Sequence, residues 1–477
     1  MKKLNLTSAQ FLALISAIVF VIFWAVWFVC YRYYLIWLEG YSFFSTLPDF
    51  ASQYLDSAEG IPGYVGAFLH QFYSMPLIGA AIQSFFLVWP VVCVGIMLQR
   101  LFKEPMRLMW IAFLPMIFIA RRQFWDLHMN GTIQISIVAT ALMLLVLVVT
   151  TFKKLAWNLP QFLRNTWLNG IIMILMTVNS FFVLVYLDPR NRTYEEQAHL
   201  EFLGEHGRWD DILKEVRPAD AAEDALKRAY ALLALSEKGN LTDYAFKYGL
   251  SSSEDFVMNE TVEPICLNFN SLFFQCQDMH NAVIYHAYQQ GVQSVTGMSF
   301  SALRRLADTY IELKDYELAK KYIDILSHSA CHKSWVKERL PMLQAIRYET
   351  PVYIDDEYKA TINQFSNTMS SMVDRNLGNR KYADLLMCSL LAAEEGDMFK
   401  NIFRYVAQVQ YPAGTPIPRL YEEALILIAM VDPGVIAGLD ISEDTRRRFA
   451  DYVGMMNEGR GNQAMRKHAG TYWVYSY

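Results

Sequence analysis

Signatures of catalysis are missing from this chain: it has no HExxH, no GxSxG, no phosphate-binding glycine loop and no GxGxxG opening a helix after a strand. Those absences exclude the metalloprotease, hydrolase and nucleotide-binding chemistries that such spacings serve. Cysteine is scarce, with Cys30, Cys93, Cys266, Cys276, Cys331 and Cys388 scattered outside any CxxC or Cys/His pattern that zinc or redox chemistry requires. No cofactor or metal is expected. A Cys266–Cys276 bridge stays open only if the second half of the chain lies in an oxidising compartment. Clustered positive charge is also lacking. Residues 190–477 hold 31 basic against 40 acidic side chains, the wrong sign for displacing phosphate counterions, so nucleic acid is not an expected partner.

What the chain has instead is apolar length. Five uncharged runs, Phe11 to Tyr31, Pro76 to Leu98, Leu108 to Ala120, Thr132 to Thr151 and Trp167 to Leu187, fall within the first 188 residues, and residues 189–477 contain nothing comparable. Four of the five reach the roughly 20 residues that cross about 30 Å of hydrocarbon. The fifth is 13 residues long, only about 20 Å of α-helix, and either spans or re-enters. The expected architecture is all-α: a bundle of about five transmembrane helices over 1–188, then a soluble helical domain over 189–477.

Loop charge orients the bundle. With five spans and the N-terminus inside, Lys2, Lys3, Arg100, Lys103, Arg107, Lys153, Lys154 and Arg164 lie on the cytoplasmic side against Arg32, Arg121 and Arg122 outside, eight to three. Dropping the short span weakens the bias to seven against four. Five spans place the C-terminal domain in the periplasm, as part of a multi-pass inner-membrane protein. The first run is too long, and too closely followed by bulky Tyr33 and Tyr34, to be a cleaved signal.

In the second half a turn followed by a large apolar residue recurs at Gly207-Arg208-Trp209, Gly239-Asn240-Leu241, Gln277-Asp278-Met279, Lys314-Asp315-Tyr316 and Gly396-Asp397-Met398, in steps of 32, 38, 37 and 82 residues. The last step leaves room for a hidden unit. Such periods indicate an α-solenoid, whose hairpins bury their apolar faces only against neighbours. In the clearest unit Leu303, Leu306, Ala307, Tyr310, Ala319 and Ile323 stand at the spacing of the tetratricopeptide repeat, which this unit resembles. Helix A is expected over 302–313 and helix B over 316–327, crossing at Ala319.

Glu39, Phe43, Phe44, Asp49, Phe50, Tyr54, Gly60, Gly63, Tyr64, Phe68, Gln71, Phe72, Tyr73 and Pro76 near one end, and Ala319-Lys320-Lys321-Tyr322, Trp335, Tyr421-Glu422-Glu423-Ala424 and Gly470-Thr471-Tyr472-Trp473-Val474-Tyr475 near the other, resemble an uncharacterised family of polytopic membrane proteins from Bacteroidota with a C-terminal tetratricopeptide-like domain. The resemblance implies a location and an architecture, and no activity. Relatives carry a larger membrane region, so five spans is a departure.

Two functional readings follow. The first is a membrane-anchored scaffold whose extracytoplasmic repeat domain binds other envelope proteins, which needs no catalytic residue. The second is an enzyme or transport component acting on a lipid-linked sugar with acids of the first outer loop, where Glu39 and Asp49 are the candidates and Asp56 and Glu59 lie nearby. A solvated loop explains those acids as well. The aromatic tail Tyr472, Trp473, Tyr475 and Tyr477 either caps the solenoid or docks a partner.

Overall fold

In the computed structural model the described residues are 7–152, 157, 166–258, 267–294, 297–352, 365–412 and 414–476. Lys2, Lys3, Lys153, Lys154, Arg164, Cys266 and Tyr477, used above for topology, pairing and the tail, lie outside them. Among the described residues the chain is helical and forms no β-strand. It divides into two compact units, residues 1–199, 291–311 and 316–349 in the first, and 200–290, 312–315 and 350–477 in the second. The hydropathy boundary at 188/189 thus differs from the contact boundary, because the hairpin around residues 300–345 belongs with the apolar helices.

In the first unit, four helices are long and apolar enough to cross a membrane: α1 (Ser8–Cys30), α5 (Pro76–Leu101), α7 (Asn130–Phe152) and α8 (Thr166–Val185). Between α1 and α5 come α2 (Arg32–Tyr41), α3 (Pro48–Leu55) and α4 (Gly60–His70). The expected fifth span, 108–120, is not a helix of that kind. A 3-10 helix over Pro105–Phe113 runs directly into α6 (Leu114–Gln123). The steeper rise of the 3-10 turns, about 2.0 Å per residue, gives these 19 residues a contour length of about 33 Å. Met109, Ala112, Phe113, Met116 and Ile119 are fully buried along it.

Both ends of that segment are fixed by hydrogen bonds. At its start, Lys103 N donates to Trp157 O (3.3 Å), Trp157 N to Leu101 O (3.0 Å) and Asn169 Nδ2 to Arg107 O. At its finish, Gln123 Nε2 donates to Gln83 O (2.6 Å) and the Tyr34 hydroxyl to Phe124 O (2.7 Å). The segment therefore begins beside the C-terminal end of α5 and finishes beside its N-terminal end, antiparallel to it. α8 runs from the Arg107 end to the other, where Leu184 O accepts from the Tyr31 hydroxyl (2.9 Å) and Asn191 Nδ2 (2.8 Å).

Completing this unit are most of α9 (Pro189–Glu205) and of α10 (Phe300–Glu312), with α11 (Tyr316–Ser327) and α12 (Lys333–Ala345). Leu303, Leu306, Ala307, Ala319 and Ile323 are buried, and Tyr310 stacks on Tyr322 at 5.7 Å.

The second unit contains, among others, the helices Ala225–Glu237, Arg380–Ala392, Gly396–Gln410, Arg419–Ala429 and Glu443–Asn457. Its recurrent turns share one device. Gly207, Gly239, Asp278, Lys314 and Glu394 all adopt positive φ. At four of them the next residue's N–H closes a loop to a carbonyl five residues earlier: Arg208 to Leu203, Asn240 to Leu235, Met279 to Phe274 and Glu395 to Leu390, the bond of a Schellman helix ending. In the last of these the left-handed residue is Glu394, and Gly396 already opens the next helix. The helices Lys333–Ala345 and Phe365–Arg375 occupy the interval where a hidden unit was expected. The tail packs on its own unit: Trp473 is buried with Tyr452, Met455 and Ala464, and Tyr472 N donates to Glu423 (2.8 Å).

Candidate functional site

A collection of buried polar side chains in the first unit lies where α2, α4 and the start of α5 meet residues 123–132. α2 begins without a side-chain cap of its own; the Glu195 carboxylate accepts from Tyr33 N (3.2 Å) and Tyr34 N (2.8 Å), occupying two donors that a helix start leaves open. Burial lifts the Glu195 carboxyl to about 7, against the two N–H groups and Arg32, which act the other way. α4 approaches so closely that a Cβ on Gly66 would stand 2.0 Å from His128 O, which explains a glycine there.

His70 at the end of α4 is buried, as are Tyr73, Gln83, Gln123 and Tyr34. The His70 ring packs 4.9 Å from Tyr73, and burial, with His128 nearby, drops its pKa to about 3, so it is neutral. The Tyr73 hydroxyl donates to Met129 Sδ (2.9 Å). Burial pushes the Tyr34 and Tyr73 phenols well above their usual range. Asp126 accepts from Thr132 N (2.7 Å), Thr132 Oγ1 (2.8 Å) and Gly131 N (3.4 Å). Its carboxylate thereby caps α7.

The four loop acids are distributed unlike a catalytic pair. Glu39 is buried on α2, with Oε1 2.9 Å from Nε2 of His332, an ion-pair distance without hydrogen-bond alignment. The His332 ring stacks on Phe300 at 3.5 Å. Asp49 is exposed in the first turn of α3, and Asp56 is exposed at its end. Glu59 pairs with His128 at the rim of the buried cluster. Further anchors join the loop to the hairpin: Gln71 Oε1 accepts from Ser329 Oγ (2.8 Å), Ala330 N (2.8 Å) and Cys331 N (3.3 Å), Thr46 N donates to His328 O (2.9 Å) and Ser301 Oγ to Gly40 O (2.9 Å). Among the described residues, no group of three or more His, Cys, Asp or Glu is placed to hold a metal ion.

Sequence reasoning named Glu39 and Asp49 but not their surroundings. His70, His128, Gln83, Gln123, Asp126 and Glu195 were not singled out, and Gln71 entered only among the residues that carry the family resemblance. The available signals were Gln83 inside an otherwise apolar run and the polar string Arg121-Arg122-Gln123 with Asp126 and His128 just beyond it. His199 is half-buried against Tyr33 at 3.9 Å, and Asn191 is buried and bonded to Leu184 O.

The second unit holds a cavity of about 440 Å³ whose lining includes Asp243, Tyr244, Lys247, Arg419, Glu423 and Tyr475. Charges of both signs border it.

No curated protein and no solved structure matches the chain. A family model does match, over residues 7–187 and 137–477, which together take in nearly the whole sequence, and the chain belongs to that family, DUF6057, a family of unknown function.

Proposed function

We propose that this chain is a membrane-anchored scaffold, crossing the inner membrane five times and presenting its C-terminal helical domain, built on tetratricopeptide-like hairpins, to the periplasm for binding other envelope proteins. The observation that carries the orientation is the pair of tethers on the Pro105–Gln123 segment, which tie Arg107 to Asn169 and Gln123 to Gln83. A segment whose 19 residues have a contour of about 33 Å supplies the fifth crossing that hydropathy alone gives weakly. An odd number of crossings places the loop after α1 on the same face as α9, in keeping with the bonds from Tyr33 N and Tyr34 N to Glu195.

Binding is favoured over catalysis by the state of the loop acids. Glu39 is buried against His332, and Asp49 is exposed in the first turn of α3. Replacing Asp49 by Asn should therefore leave function intact, whereas a required acid would cost orders of magnitude in rate. A reporter active only in the cytoplasm, fused after Tyr477, is expected to be silent. Strong activity would place the domain inside the cell and remove this reading. Material copurifying with the chain is expected to be protein; a lipid-linked sugar would favour the enzyme.

A further inference from the structure

The short helices α3 and α4 have unlike surfaces. α3 exposes Asp49, Ser52 and Gln53, with Asp56 exposed just past its end and Leu55 as its one large exposed apolar side chain, a surface that carries charge at both ends. α4 has no charged residue, and none occurs anywhere from Gly60 to Gln99. One side of α4, formed by Gly63, Gly66, Ala67 and His70, is buried, with Gly66 against the His128 carbonyl. On the opposite side Ile61 and Phe68 are 61% and 37% exposed, with Val65 between them in the same stripe at 3.6 residues per turn. The apolar surface does not stop there. It continues through Met75, Leu77, Ile78 and Phe85, all exposed, onto the outward face of α5.

We propose that α4 lies in the bilayer interface, with Ile61, Val65 and Phe68 seated at the boundary between headgroups and acyl chains. The proposal rests on the reading that α5 and α7 cross the membrane. Two observations support lipid as the occupant of this face. The stripe leads in the chain to the exposed apolar start of α5, and Ser74 is the one exposed polar side chain between Phe68 and Leu77. Its depth also fits: Gly66 abuts His128, two residues before α7 begins at Asn130, which sets α4 near the ends of the spans. In-plane helices settle about 5–10 Å into that zone. A helix facing water would instead carry charge there, as α3 does.

The test places p-benzoylphenylalanine, one position at a time, at Ile61, Phe68, Gln53 and Ile174 of the full chain in native membranes. After illumination, covalent adducts are read by mass spectrometry. Phospholipid adducts are expected at 61 and 68, as at Ile174 on α8, and none at Gln53. A lipid adduct at Ile174 without one at 61 or 68 would overturn the placement of α4 while leaving the spans intact, as would adducts at 61 and 68 to another protein or a second copy. No lipid adduct even at Ile174 would remove the membrane reading on which the proposal rests.

Discussion

Two segments of the first unit run between the same two ends of one bundle in opposite surroundings. α8 presents Trp167, Ile171, Ile174, Leu175, Val178 and Phe182 outward, with Trp167 83% exposed. The Pro105–Gln123 segment turns Met109, Ala112, Phe113, Met116 and Ile119 inward and leaves few residues such as Phe118 outside. A helix with lipid around most of its circumference must be apolar on most of its circumference. A segment enclosed by neighbouring helices is relieved of that demand, so it can include Pro105, Arg107 and Pro115 and begin as a 3-10 helix, provided its polar groups meet partners. Hydropathy therefore detects what lipid covers more readily than what protein covers.

The largest expected effect separates those coverings within one helix. Met116→Asp would bury a carboxylate in a fully enclosed position without a partner, at a cost of several kcal/mol. Phe118→Asp, two residues on and 70% exposed, meets lipid or headgroups and should cost no more than about 2.5–3.5 kcal/mol. Thermal unfolding and monodispersity in detergent read both. If Phe118→Asp were the more damaging, the inner and outer faces of the segment would have to be exchanged.

The same contrast recurs in the hairpin. Ala319 is fully buried, while Lys320 is half-exposed, with its side chain 45% accessible, and pairs with Asp324. Ala319→Leu should destabilise the full chain by roughly 1–3 kcal/mol through overpacking, and Lys320→Leu should stay within about 0.5 kcal/mol. Equal shifts in the thermal midpoint would reject the register in which α10 and α11 meet at Ala319.

How much of this was legible follows from the same physics. The helix expected over 316–327 coincides with α11, and that expected over 302–313 is α10 displaced by one or two residues. There the 3.6-residue period and the Lys314 turn agree. The four long apolar helices were legible for the reason given for α8. The Pro105–Phe113 3-10 helix was not, since its rise is set by packing around Met109 and Ala112 rather than by propensity. The buried polar cluster was hidden for another reason. Glu195 reaches Tyr33 and Tyr34 across 162 and 161 residues, and Gln71 reaches Ser329 across 258. No local pattern encodes a pairing that distant.

The smallest effect tests whether protein really encloses the start of α2. Burial raises the Glu195 carboxyl from about 4.5 to about 7, so the folded chain holds that proton more tightly than the unfolded one. By linkage, the stability tied to this group is fully present below pH 4.5 and is lost as the pH rises through 7. His70 acts in the opposite sense. Its pKa falls from 6.5 to about 3, so its contribution is present above 6.5 and is lost as the pH falls through 3. The two oppose each other over the acidic range, which would hide both in the parent protein and makes a single substitution informative. Glu195→Gln removes only the first. The thermal midpoint of Glu195→Gln minus that of the parent should therefore rise steadily between about pH 5 and pH 7.5, by a few degrees at most. A difference that stayed flat, or shrank as the pH rose, would mean that Glu195 sits charged in contact with water, and that the start of α2 is less enclosed than Met116.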